Sequence, residues 1–197
     1  MHRIRVKYFL ANGHDPNLAE MLDVFHLWIQ QKQMDGLPLD VADYRHIKEG
    51  PGVLIVGHEF DCGLDTSEGR PGFVYVSKQS SSDSLSDRLW AAFHGALTGC
   101  RKLETESALT NPLSFRTDEM EIMLLDRLRT PNRDTTDAEV RGQITAVVES
   151  LYDPSTVTLD RDTRDKRSAF TLMVNTSDAP PLDHLIQRVT TAVSSPE

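Results

Sequence analysis

A chain of 197 residues is long enough for one domain or two small ones, each with a real core. Hydrophobic residues at 39% and charged residues at 26% are ordinary for a globular protein and argue against wholesale disorder. The net charge of −9 is spread evenly, with 11 basic against 15 acidic residues up to position 110 and 10 against 15 after it, so no basic half exists to neutralise a phosphate backbone and nucleic acid is set aside as a partner.

The N-terminal stretch Met1 to Leu10 alternates charge with apolar residues and reads as a strand at about 3–10, not as a signal peptide. No run approaches the ~18 apolar residues of a membrane span. The cytoplasm is therefore the expected location, with no membrane partner. Asp15 before Pro16 is placed to cap a helix whose apolar face carries Leu18, Met21, Leu22, Phe25, Trp28 and Ile29. Gly36 and Pro38 break the chain before a strand at about 39–47, and Lys48 to Gly52 turns it back at Val53.

From Gly57 that strand changes character, with His58, Phe60, Cys62 and Leu64 alternating with Glu59, Asp61 and Asp65, the period of one buried and one wet face. A turn at residues 67–72 leads to Phe73-Val74-Tyr75-Val76. The serine-rich segment Gln79 to Ser84 is expected to be a mobile loop. A long helix then aligns Leu85, Leu89, Phe93, Ala96, Leu97, Cys100 and Leu103. Met120 to Leu128 reads as the next strand, and Thr136 with Glu139 forms a capping box that opens a helix through Val140, Ile144, Val147, Val148 and Leu151. Strands at 156–161 and 169–175 form a hairpin, and a last helix carries Leu182, Leu185, Ile186 and Val189. Cys62 and Cys100 have no metal-type spacing and read as two buried thiols.

The pattern Leu39 to Val56 returns at Thr156 to Val174. In each copy an aspartate, Asp43 or Asp160, ends a short apolar run ahead of another. The fold expected is α+β, a tandem βαββα pseudo-repeat of residues 1–110 and 111–197, with helices packed on a mixed, mostly antiparallel sheet. A helical crossover should leave the first two strands of each unit parallel and right-handed. The halves form either two small sandwiches or one broad sheet. The unalternated runs Val53–Val56 and Phe170–Val174 suggest central strands covered on both faces.

The first copy alone holds Tyr44, His46, His58, Glu59 and Asp61, where the second has Arg161, Thr163, Asn175, Thr176 and Ser177. The candidate catalytic set is His58 with Asp43, Tyr44 or Asp61, because histidine titrates near neutral pH. The plainer alternative is that His58 ends an apolar strand and hydrogen-bonds a neighbour. If Ile47 faces Val53, His58 faces Ala42, diagonal to Asp40 and Tyr44. His46 then lies about 13 Å away, too far to share one metal ion. His58-Glu59 lacks the second histidine of HExxH. A metal reading would need His58, Glu59, Asp61 and His14. His26 reads as structural, His94 as meeting solvent or the helix edge, and Arg161 to Arg167, interleaved with aspartates, as a solvated hairpin tip. No phosphate loop, GxGxxG or nucleophile elbow is present, so no metal centre and no cofactor is expected.

The segment Asp40 to His46 and Gly50 to Glu59, with Phe25-His26-Leu27-Trp28-Ile29 before it, resembles a bacterial family of uncharacterised proteins. The resemblance implies a bacterial source and no activity. The function expected is that of a non-enzymatic protein, self-associated as a homo-oligomer, which binds a protein partner or small ligand between its halves. The alternative is a small acid–base enzyme, a hydrolase or isomerase, centred on His58.

Overall fold

The computed structural model describes residues 3–48, 50–78 and 84–194. Along the chain run β1 (Ile4–Leu10), α1 (Leu18–Gln30), β2 (Pro38–Asp43), β3 (Val53–Gly57), β4 (Phe60–Asp65), β5 (Gly72–Ser77) and α2 (Leu85–Glu104). These are followed by β6 (Phe115–Leu124), α3 (Asp134–Leu151), β7 (Val157–Arg161), β8 (Phe170–Thr176) and α4 (Leu182–Ser194). Among the described residues the strands join in one eight-stranded sheet, ordered β2-β3-β4-β5-β1-β6-β8-β7, in which every pairing is antiparallel. The fold is α+β, and one broad sheet carries both parts of the chain, joined where Ile4 faces Leu124 and Tyr8 faces Met120.

Period-two alternation decides which face each side chain takes. Ile4, Val6, Tyr8 and Leu10 of β1 enter a single core with Phe60, Cys62 and Leu64 of β4 and Phe170, Leu172 and Val174 of β8. The four α-helices among the described residues close that core, through Phe25 and Trp28 of α1, Leu89, Phe93 and Leu97 of α2, Ile144 and Val148 of α3, and Leu185 and Val189 of α4. Both cysteines are buried and unpaired. α2 comes very close to β5. A Cβ on Gly99 would stand 2.1 Å from Phe73 Cε1, and one on Gly95 2.4 Å from Tyr75 Cε2, so only side-chain-free positions admit the aromatic rings beneath the helix.

The strands do not fall where the sequence places them in several respects. β1 and β2 run in the same direction, as do β6 and β7, yet neither pair is adjacent: three strands separate the first and β8 separates the second. The run read as one strand through residue 65 folds back at His58-Glu59, because the missing side chain of Gly57 lets Phe60 O approach to 2.7 Å from where a Cβ would stand. β3 and β8 are each second from an edge. The central strands are β5, β1 and β6, two of which carry charges. The comparison of residues 39–56 with 156–174 thus matches an outer hairpin, β2–β3, with one whose β8 pairs directly to β6. Measured by position in the sheet, β5 flanks β1 as β8 flanks β6.

Helix starts shift as well. Asn17, not Asp15, caps α1, its side chain accepting from Ala19 N. α3 begins at Asp134 with no side-chain cap, and Thr136 is buried inside its first turn instead of forming a capping box. The serine-rich segment expected to be mobile falls mostly at residues 79–83, outside the described residues.

Candidate functional site

The face of the sheet away from the helices is where ionisable groups converge. In β1 the alternate positions Arg5, Lys7 and Phe9 point there, and the β1–β6 register sets Lys7 directly opposite Glu121. On the other side, Asp65 of β4 pairs with Gly72 of β5, which pairs in turn with Phe9. Gly72 has a definite role in this arrangement. A Cβ on it would stand 3.0 Å from Lys7 Cε, and without one Asp65 reaches across β5 to the cations of β1.

Asp65 Oδ2 accepts from Arg5 Nη2 and lies 3.6 Å from Lys7 Nζ, while its Oδ1 accepts from Ser67 N at 2.7 Å. Arg5 Nη1 donates to Glu121 Oε1 at 2.8 Å. Lys7 and Asp65 are each 3% exposed. Burial holds the Lys7 ammonium below its usual value, against the opposing pull of Asp65. Burial pushes Glu121 up and outweighs Arg5 and Lys7. At Asp65 burial also acts upward, but Arg5, Lys7 and the Ser67 hydrogen bonds prevail and hold the carboxyl below the usual range.

Two loops complete the site. The β4–β5 connection supplies a 3₁₀ turn at Ser67–Gly69, and the β7–β8 tip brings Asp162, Arg164 and Ser168. They approach one another at Arg164 Nη2 and Glu68 Oε2, 3.9 Å apart. The cavity between them is about 660 Å³, walled by Arg5, Lys7, Glu121, Thr171 and Met173. The basic hairpin tip therefore roofs a cavity besides meeting solvent. Arg70 stacks 3.8 Å over the Phe9 ring and bonds Glu119 Oε1 at 2.6 Å, closing one end. Most of these cations already have a carboxylate partner. The Lys7 ammonium lies 3.6 Å from Asp65 Oδ2 and 5.4 Å from the Phe9 ring centroid, and with three protons to donate it has no further hydrogen-bond acceptor among the described residues.

The groups singled out around His58 are dispersed. Asp43 faces Val53, not Ile47, so the hairpin loop is longer than expected and its register moves accordingly. His58 then lies past the end of β3, its N donating to Leu37 O, about 17 Å along the hairpin from Asp43 and about 20 Å from Tyr44. His58 is exposed, with Nδ1 3.2 Å from Glu59 Oε1. Asp43 is held by Arg45, whose hydrogen bonds bring its carboxyl down to about 2. Tyr44 donates its N–H to Gly52 O at 2.8 Å. Asp61 is engaged by Lys78 Nζ at 2.6 Å, by Arg3 at 3.7 Å and by Gly57 N at 3.3 Å. Among the described residues no three histidine, cysteine or carboxylate groups are placed to hold a metal ion. Among the described residues no helix is long and apolar enough to cross a membrane.

No protein-family model, curated protein or solved structure matches this chain.

Proposed function

We propose that this protein binds, without turnover, a small polar ligand bearing an anionic or hydrogen-bond-accepting group, held in the cavity between the β4–β5 loop and the β7–β8 tip. The observation that carries this reading is Lys7. A lysine 3% exposed costs free energy to bury, and its ammonium faces a roomy cavity with acceptors still to be supplied. A bound carboxylate, phosphate or carbonyl oxygen would supply them. The loops that roof the cavity come one from each half of the chain, which is why we place the ligand between the halves.

Thermal melting of the purified protein against a panel of small carboxylates, sugar phosphates and inorganic phosphate tests this. At least one class should raise Tm saturably, and Lys7→Met should abolish the rise. A panel with no effect, or an equal effect on Lys7→Met, would overturn the proposal.

We also read the two halves as related βαββα units, with β2–β3 an added hairpin in the first. Supporting this is the flanking of β1 by β5 and of β6 by β8, each half closing in a helix. Self-association belongs to the same reading. Leu37 and Leu39, 54% and 59% exposed, lie at the outer edge strand β2, whose free backbone groups can pair with a second copy. Sedimentation velocity should find an oligomer that Leu39→Lys reduces to monomer. An acid–base enzyme centred on His58 is the competing function, and the distance from His58 to Asp43 and Tyr44 speaks against it.

A further inference from the structure

A second cavity, of about 350 Å³, lies on the opposite, helix-bearing side of the sheet. Its floor is made of aromatic rings: Phe60 and Tyr75 stack with centroids 5.4 Å apart, and Phe73 lies beside them. Trp28 of α1 forms one wall and α2 the other, brought down onto the rings at Gly95 and Gly99. Such a lining suits a flat apolar body, and the volume is at the low end for small-molecule sites.

The polar groups of this cavity are few and basic on the α2 side. Lys102 Nζ lies 4.9 Å from the Trp28 ring centroid and donates to Gln33 Oε1 at 2.7 Å, with no carboxylate partner among the described residues. His94, two helical turns before it, lines the same space and makes no hydrogen bond among the described residues. Asp35 also lines the cavity, two residues beyond the Gln33 that accepts from Lys102. An aromatic slot whose lysine has no carboxylate partner among the described residues fits a ligand with one flat ring system and one anionic group.

We propose that this cavity is a binding site for a small planar aromatic carboxylate, its ring laid against Tyr75 and its carboxylate at Lys102. The site is separate from the charged cavity, which lies across the sheet and is walled by Arg5 and Lys7. It does not depend on that cavity being functional.

Isothermal titration with 2-naphthoate and with its neutral isostere 2-naphthamide tests the assignment. 2-Naphthoate should bind once per chain, about tenfold or more tighter than the amide, as expected when one charge-assisted contact is added. Lys102→Met and Lys102→Gln should each bring the acid to the affinity of the amide, and Lys7→Met should leave both unchanged. The proposal is overturned if 2-naphthoate gives no saturable heat, if acid and amide bind equally, or if neither Lys102 variant alters the preference. It is equally overturned if Lys7→Met removes binding, which would put the probe on the other face.

Discussion

Lys7 and Asp65 stand on strands separated by β5, and their charged atoms come within 3.6 Å because Gly72 leaves the space between them empty. The two residues are not equivalent in this cluster. Asp65 is the anion shared by the buried Lys7 and the half-buried Arg5, whereas Lys7 is one of two cations serving it, and Arg5 remains if Lys7 is removed.

Asp65→Asn is therefore expected to cost about 3–5 kcal/mol, because Arg5 and Lys7 would stay buried without that charge. Lys7→Met, which trades a desolvated ammonium for an apolar group of similar length, should change stability by less than about 1 kcal/mol. Urea unfolding of the two variants measures the contrast. Equal losses would show Lys7 to be a structural ion-pair partner and not a group reserved for a ligand.

The same cluster sets opposite pH dependences. Asp65 has a folded value below its unfolded one, so its contribution is present above the unfolded value and is lost as pH falls through the folded one. Glu121 is raised on folding, so its contribution is full below the unfolded value and is lost as pH rises through the folded one. Between about pH 3 and pH 7, the stability difference from wild type should therefore move against Asp65→Asn and in favour of Glu121→Gln as pH rises. Urea midpoints across that range provide the check, and parallel curves would contradict the assignment.

Two helical glycines should respond in opposite senses to the same substitution. Gly142→Ala in α3 meets nothing within 4 Å and should stabilise by about 0.5–1 kcal/mol through helix propensity alone. Gly99→Ala gains the same propensity, but its methyl would stand 2.1 Å from Phe73, and a net loss of about 1–3 kcal/mol is expected. Chemical denaturation of both variants decides whether α2 is held down by that contact.

His58→Ala should change stability by less than about 0.5 kcal/mol, since the imidazole side chain is 55% exposed in a two-residue turn. It should also leave any Tm rise from the panel of carboxylates and phosphates intact. Loss of that response would move the functional site to the β3–β4 turn.

Local pattern was enough for much of the architecture. The alternation in β1 and β4 and the apolar stripes of α1, α2 and α4 follow from periods of 2 and 3.6 residues, which the sequence displays directly, and they yield the α+β class and the helix-packed face. Local pattern could not fix which strands neighbour which. Strand order depends on long-range pairing, and the β2–β3 and β7–β8 hairpins look alike in sequence while occupying different places in the sheet.

The candidate site lies wholly in that second category. By alternation Arg5 and Lys7 are simply the polar face of a strand, the pattern of residues turned to water. Their partners Asp65 and Glu121 are 60 and 116 residues from Arg5, and the loops that roof them come from different halves of the chain. The sequence determined that these charges share a face. Only the tertiary structure decided that the face is desolvated, because removal from water depends on what packs over a side chain and not on the residues beside it in the chain.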